Sequence, residues 1–200
     1  MKNFLPVSPF FFLVAAVSFS AHADPYIGLD GRVDAIAWHN SNSSYPEDTS
    51  GIGIHIGDRL SRNYGVELGY SNAYGDVGYS QTTPTAEKFS YRLSIRDFQL
   101  DNFAYLPLGE SGAFQPFMTL GVAFSEGNAR IRNSTTTTVP VITYTQFFQK
   151  QEVDWRGGFG IEYRLSQSIS ARFLARYQPY SFGSNLSGGA TLGISINTAL

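Results

Sequence analysis

The strongest constraint on the fold is a pattern with a period of two in residues 153–180, VDWRGGFGIEYRLSQSISARFLARYQPY. Alternate residues of its first arm are mostly apolar: Trp155, Gly157, Phe159, Ile161 and Tyr163. The intervening residues are mostly polar or glycine, and the second arm repeats the pattern after the polar residues 165–168. Because side chains along a strand point to opposite faces in turn, each arm is a strand with one apolar and one polar face. The stretch therefore predicts an antiparallel hairpin with a tight turn.

The first residues have the pattern of a secretory signal peptide. Lys2 precedes an apolar run at residues 10–17, which is followed by Ala21-His22-Ala23. A positive start, a short apolar core and a small-residue cleavage site define such a leader. The apolar run is far shorter than the roughly 20 residues that a transmembrane helix needs. The sequence therefore predicts a signal peptide at residues 1–23 and one mature domain at residues 24–200.

Composition excludes several classes of function. The chain has no cysteine, so it has neither a disulfide scaffold nor a cysteine for lipid attachment after the leader. Its net charge of -2 gives no electrostatic basis for a nucleic-acid partner. Only His39 and His55 follow the leader, and neither forms a ligand pair with metal-site spacing. We expect no metal and no cofactor.

Six further segments alternate in the same way, at residues 26–39, 52–57, 64–71, 89–106, 114–125 and 189–200. The fourth of the eight strands changes phase, which predicts a β-bulge near Arg96 and Asp97. Long polar loops are predicted at residues 40–50, 72–88 and 127–152, with short turns between the other strands, although the last link, at residues 181–187, is short where a long one is expected. An even number of strands with short turns at one end is the layout of outer-membrane barrels. The predicted fold is all-β, an eight-stranded antiparallel up-and-down transmembrane β-barrel.

The spacing of aromatic residues indicates which face meets lipid. From Trp155 to Tyr163 a strand tilted by about 40° rises about 20 Å, close to the separation of two aromatic girdles around an apolar band of about 25 Å. The predicted girdle residues are Tyr64, Tyr70, Trp155, Tyr163 and Tyr177. The polar face then lines an interior that is filled by side chains, because about eight strands leave no room for a pore.

Charges enclosed in such an interior must be paired, because an isolated buried ion costs several kcal/mol. The predicted interior network is Asp30, Arg32, Asp34, His55, Glu67, Arg156, Glu162, Arg172 and Arg176. If Leu165 faces Ile169 across the turn, Glu162 lies opposite Arg172. The same register places Gly158 opposite Arg176, and His55 is expected opposite or diagonal to Glu67. The alternative is that some of these charges only solvate the barrel ends.

The hairpin WRGGFGIEYRLSQSISARFLARY, with its W-x-x-G-x-G-x-E-Y spacing, resembles the signature of the bacterial outer-membrane β-barrel domain family. FQPFMTLGVAFS resembles that family's fifth strand, and YIGLDGRVD resembles its first. The family contains OmpA-like, opacity-like and porin-family small barrels, so the resemblance implies a structural, adhesion or surface-interaction role and no common enzymatic reaction. Leu174 stands where relatives often carry an acid, and Leu200 stands where they often end in an aromatic residue. These departures bear on the interior network and on insertion.

Two alternative functions remain open at the level of the sequence. His39-Asn40-Ser41-Asn42, with Glu47 nearby, resembles the His-x-Ser-Asn element of outer-membrane lipid A deacylases, although a solvated loop rich in turn formers fits these residues better. A soluble ligand-binding barrel would instead turn the apolar face inward.

The expected partners are outer-membrane lipid, the barrel-insertion machinery, and an extracellular ligand or host surface at the three long loops. Tyr144, Phe147 and Phe148 are expected in the aromatic girdle, an exposed binding patch being the alternative.

Overall fold

The chain folds into a closed barrel of eight antiparallel strands, as predicted. The computed structural model describes residues 24–40, 43–81, 87–106, 108, 113–135, 142–180 and 186–200, so the predicted signal peptide lies outside the described residues. The strands are β1 (Asp24–Asn40), β2 (Ser43–Ser61), β3 (Tyr64–Gln81), β4 (Glu87–Tyr105), β5 (Phe114–Thr135), β6 (Ile142–Arg164), β7 (Ile169–Gln178) and β8 (Leu186–Ala199). Each pairs with the next, and β8 pairs with β1. No helix in the described part of the chain is long and apolar enough to cross a membrane.

The apolar face of the wall points outward. Large apolar side chains are exposed around the barrel, including Leu29, Ile52, Ile54, Met118, Leu120, Phe159, Phe173, Leu192 and Ile196. On β5 this band runs from Phe114 to Phe124, which at about 3.3 Å per residue and a tilt near 40° spans about 25 Å. A closed wall leaves no strand edge without a partner at the depth of the lipid. The soluble-barrel alternative, which needs the apolar face inside, is therefore wrong.

The predicted bulge in β4 is also wrong. The registers with β3 and β5 continue without a shift through Arg96 and Asp97. Leu93 and Ile95 are instead buried inside the barrel, with 2% and 0% of their surface exposed. Above the apolar band the outer face of the wall meets water, so apolar side chains pack inward there. The apolar residues of β4 therefore face inward at its upper end and outward in the membrane, and this change of face along one regular strand gave the appearance of a bulge.

The three predicted loops are largely strand. We call the end with the long hairpins the upper end. There β1 and β2 pair as far as Asn40 and Ser43, and β3 and β4 as far as Gln81 and Glu87. The β5–β6 hairpin continues to Thr135 opposite Ile142. These segments carry polar residues on both faces, so they lack the regular apolar alternation that identifies a strand in the membrane. Above the apolar band, β3 to β6 continue as one four-stranded sheet, which we call the upper wall.

Glycines on the inner face give space to large interior side chains. A Cβ at Gly160 would overlap the carbonyl oxygen of Phe173 and lie 2.5 Å from the Phe117 ring, whereas a Cβ at the outward Gly157 would lie 3.6 Å from its nearest neighbour, the carbonyl oxygen of Thr119. We expect Gly160→Ala to lower the free energy of unfolding by about 1–3 kcal/mol, because overpacking forces neighbouring atoms to move. Gly157→Ala is the matched control and should change it by at most about 1 kcal/mol. Urea unfolding of both variants in detergent micelles measures the difference, and equal stabilities would contradict the expectation.

Candidate functional site: a charged interior

The inner face of the barrel carries a dense set of buried charges. Its arginines are Arg32, Arg59, Arg156, Arg172 and Arg176, and its carboxylates are Asp30, Asp34, Glu67, Asp97, Asp101 and Glu162. His55 lies among them, completely buried. Because cations and anions are nearly balanced, each can be offset by direct pairing, which is the condition for burying an ion. The pairs form three layers along the barrel axis.

Arg172 is the centre of the lower layer. Its Nη1 donates to Glu67 at 2.6 Å, and its Nη2 lies 3.2 Å from Glu162. The same Nη2 donates to the hydroxyl of Tyr105 at 3.2 Å and to that of Tyr26 at 3.3 Å. Tyr26 in turn donates to Glu67 at 3.0 Å. One guanidinium thus ties together side chains from strands on opposite sides of the barrel.

Aromatic rings surround these charges. The Arg172 guanidinium lies 4.6 Å from the ring centre of Phe103, and that of Arg59 lies 4.1 Å from the ring centre of Tyr105. Arg59 also contacts Glu162 at 3.0 Å and Gln115 at 2.5 Å. Cations over ring faces are attracted by the ring quadrupole, an effect that grows when water is excluded. The lower layer is therefore both charged and well packed.

His55 and a pair of arginines form the middle layer. Nδ1 of His55 lies 2.8 Å from Asp30, and Nε2 lies 2.6 Å from Asn197 and 3.6 Å from Glu67. A Cβ at Gly28 would overlap the imidazole ring, so this glycine makes space for it. On the other side of the barrel, Asp101 pairs with Arg156 at 3.2 Å and with Arg176 at 3.0 Å. Arg156 also donates to Gln99.

Arg32 joins two aspartates in the upper layer. It lies 3.0 Å from Asp34 and 2.6 Å from Asp97, both of which are completely buried. Hydroxyl and amide groups complete this layer: Thr49 and Thr191 donate to Asp34, Ser125 and Tyr180 donate to Asp97, and Gln178 donates to Ser125. Tyr180 thereby covers the interior directly above β7.

The space left between these layers is small. A cavity of about 30 Å³ lies between Arg32, Glu67, Gln99, Arg176 and Ser195. That is room for about two water molecules and far less than the roughly 300 Å³ or more of a small-molecule site. The described residues contain no group of three or more His, Cys, Asp or Glu side chains able to hold a metal ion. The interior as described is a network of ion pairs.

All of the predicted interior residues lie on the inner face. Glu162 pairs in register with Arg172, and Gly158 with Arg176, across a turn in which Leu165 N donates to the Ile169 carbonyl. His55 lies diagonal to Glu67, since it is Gly57 that pairs with Glu67. Sequence reasoning missed several interior residues: Arg59, Asp97, Gln99, Asp101 and Gln115. Three of them alternate along β4, a signal that the assumed bulge obscured.

The predicted girdle residues lie on the outer face. Tyr64, Trp155, Tyr163 and Tyr177 are exposed. The rings of Trp155 and Tyr177 are 5.8 Å apart, and half-buried Tyr70 packs 4.8 Å from Phe98.

The side chains of Tyr144, Phe147 and Phe148 lie outside the described residues, so their place in the aromatic girdle stays a prediction. The backbone of Phe147 is six residues above Val153 on β6, or about 15 Å beyond the apolar band at the rise and tilt of a barrel strand.

The proposed catalytic pattern is described only in part. His39 lies opposite Ser44 in the β1–β2 register, and Glu47 lies opposite Ile36. Ser41 and Asn42 lie outside the described residues, as do the side chains of His39 and Glu47.

Comparisons with known proteins agree with the barrel. The chain resembles Neisserial surface protein A (NspA), with a TM-score of 0.55 and 11% identity over 89% of this chain and 99% of that one. It also resembles Ail, the attachment invasion locus protein of Yersinia pestis, with a TM-score of 0.52 and 10% identity over 88% of this chain and 99% of that one. No curated protein matches by sequence. The profile of the family described as "Outer membrane protein beta-barrel domain" matches residues 9–198, so the chain belongs to this family and is located in the bacterial outer membrane.

Proposed function

We propose that the protein is a non-enzymatic barrel that acts in surface interaction through its upper hairpins. Outer-membrane barrels place their short turns in the periplasm and their longer connections outside the cell. The observation that carries the proposal is the upper wall, in which β5 and β6 remain paired as far as Thr135 and Ile142. A paired sheet that rises beyond the lipid presents a large surface to the medium. The extracellular surface comprises residues 40–50, 72–88 and 127–152.

The charged interior supports a structural role for the barrel itself. Arg172 bridges Glu67 and Glu162, and Asp101 pairs with both Arg156 and Arg176, so ion pairs cross the space that a channel would need. We expect no solute conductance from the purified barrel in planar bilayers. Outer-membrane lipid surrounds the barrel, and the barrel-insertion machinery assembles it there.

A cluster of arginines on the outer face of the upper wall indicates that a ligand bound there is anionic. Arg92 and Arg130 lie directly opposite each other in the β4–β5 register, and both are exposed. Arg96 follows on the same face, next to Glu126 on β5. Three arginines against the acidic register neighbours Asp76 and Glu126 leave this face with an excess of positive charge. A polyanion is complementary to such a face, and Ail has been crystallised with the heparin analogue sucrose octasulfate.

Heparin binding tests this proposal directly. We expect Arg92→Gln/Arg130→Gln to lower the affinity of the purified barrel for immobilised heparin by about ten-fold or more, because charge-assisted hydrogen bonds contribute about 1.5–3 kcal/mol each. Arg62→Gln/Arg164→Gln removes the same charge from exposed positions at the lower end and should leave the affinity unchanged. Surface plasmon resonance at several salt concentrations measures both. Equal affinities for the two double variants would contradict an interaction at the upper wall.

A further inference from the structure

The upper wall ends in a strand edge on β6. β6 pairs with β5 from Ile142 to Tyr163, but its pairing with β7 runs only from Gly157 to Arg164. β7 is much shorter than β6, with 10 residues against 23. Within the described residues, no strand pairs with residues 142–156 of β6 on the β7 side, and the upper half of this run is residues 142–149. This segment, which we call the β6 edge, presents a row of backbone donors and acceptors about 26 Å long.

The sequence of the β6 edge lacks the usual protection against strand pairing. Residues 142–149 read ITYTQFFQ, with no charge, no proline and no glycine, whereas the lower half of the same run carries Lys150, Glu152 and Asp154. Exposed edges are normally blunted by lysine, proline, bulges or a covering segment. The edge of β3, on the other side of the same wall, differs, because residues 75–81 read GDVGYSQ and contain two glycines and Asp76. Only the β6 edge combines high β-propensity with an uncharged sequence.

We propose that the β6 edge pairs with the β6 edge of a second copy of this chain in a facing membrane. The inference rests on the proposed surface-interaction role and names its partner. β6 runs from the upper end of the barrel to the lower end, so two copies in one membrane would bring these edges together parallel. Antiparallel pairing about a two-fold axis points the two upper ends towards each other. The two barrels then lie in opposed outer membranes, and the protein links neighbouring cells.

The edge sequence is complementary to itself in this arrangement. A two-fold axis between Thr145 and Gln146 places Tyr144 opposite Phe147 of the second copy, and Thr143 opposite Phe148. Aromatic pairs and pairs of aromatic with β-branched residues are the favourable cross-strand combinations. No charge is brought opposite another within the eight-residue segment. The interface is isologous and closed, so it joins copies in pairs.

Charge reversal at the centre of the edge tests this pairing. Thr145→Lys/Gln146→Lys and Thr145→Glu/Gln146→Glu each place like charges across the two-fold axis, whereas a mixture of the two variants places opposite charges there. In cells expressing the protein on their surface, we expect wild type to form clusters and each variant alone to form about ten-fold fewer, because many weak contacts act together. Mixing cells that carry the two variants should restore clustering.

A matched control carries the same charges inside the sheet. Asn133→Glu/Ser134→Glu, the match to the glutamate variant, lies on β5 directly opposite Tyr144 and Thr143, with Phe89 and Lys88 of β4 on its other side, and should cluster as wild type does. Heat-modifiable gel mobility verifies that every variant folds. Clustering of both edge variants alone at the wild-type level, or no recovery on mixing, would overturn the inference.

The absence of cysteine allows a direct measurement of the contact. Cells carrying Thr145→Cys and cells carrying Gln146→Cys, with different epitope tags, should yield a mixed disulfide-linked dimer when the two are combined under oxidation. Dimers that form only when both chains are expressed in the same cell would overturn the facing-membrane arrangement. Wild-type cells that bind heparin but do not cluster would overturn this inference and leave the proposed function standing. Failure of both assays would remove the support for both.

Discussion

Replacement of Arg172 with leucine is expected to lower the free energy of unfolding of the barrel by about 3–5 kcal/mol, the largest effect of any single substitution discussed. Arg172 is buried, with 3% of its side chain exposed, and contacts both Glu67 and Glu162. Leucine fills part of the space but leaves two carboxylates in the interior with fewer cations. Urea unfolding in detergent micelles, followed by the fluorescence of the two tryptophans, measures the change.

Two comparisons separate the lost ion pairs from the lost packing. Arg62→Leu changes an exposed arginine in the β2–β3 turn and should alter stability by at most about 0.5 kcal/mol. Adding Glu67→Gln and Glu162→Gln to Arg172→Leu should recover part of the loss, because the remaining carboxylates are then neutral. If the triple variant is less stable than Arg172→Leu alone, the ion pairs are not the source of the effect.

Substitution of a charged residue at the centre of the lipid-facing band should also lower the free energy of unfolding strongly. Leu120 lies near the middle of the segment from Phe114 to Phe124 on β5, with 65% of its surface exposed. Leu120→Arg is expected to lower the stability in lipid bilayers by about 2–4 kcal/mol, since an arginine at the bilayer midplane loses its hydration. Reversible unfolding from phospholipid vesicles measures this free energy.

The same side chain placed above the band provides the control. Gln151 is exposed on β6, two residues beyond Val153, and Gln151→Arg should cost at most about 1 kcal/mol because this level lies near the interface. Equal costs at the two positions would contradict the location of the apolar band. If Leu120→Arg lowers the stability less than Gln151→Arg does, the lipid contacts the wall nearer to Gln151 than to Leu120, and the assigned band is wrong.

The β6–β7 hairpin was predictable from sequence because its structure is determined locally. Apolar alternation defines the two faces, and the turn at residues 165–168 sets the register, so Glu162 and Arg172 follow as neighbours. The eight strands and their closure followed from the same alternation and from the cost of an open edge in lipid.

Alternation was misleading where the surroundings of a strand change along its length. Leu93 and Ile95 pack inside the barrel, whereas Leu100, five residues beyond Ile95, faces lipid. The apolar residues of one regular strand therefore change from odd to even positions. Arg59 was missed for a related reason, because β2 extends to Ser61 and places it inside, whereas residues 58–63 look like a turn. If the inner face of β4 is assigned from its membrane-spanning half alone, where Phe98 and Leu100 face lipid, then Asp97, Gln99 and Asp101 are predicted to lie inside.

Partners across the barrel could not be read from sequence at all. Arg172 and Glu67 are 105 residues apart, and Thr191 and Asp34 are 157 apart. Strand register fixes only adjacent pairs, whereas these contacts depend on the tilt and stagger of the whole barrel. Which acid joins which arginine is therefore a property of the closed structure.

The pairing of β8 with β1 is the step that closes the barrel during assembly. Tyr26 and Ala199, about 170 residues apart, form one register pair. Contacts between positions so distant along the chain require the largest loop closure, and a high proportion of them slows folding. Every intermediate that precedes this step carries two open strand edges, which lipid cannot satisfy. The seam between the first and last strands is therefore expected to form late in assembly, and its formation rate should set how fast the protein matures in the membrane.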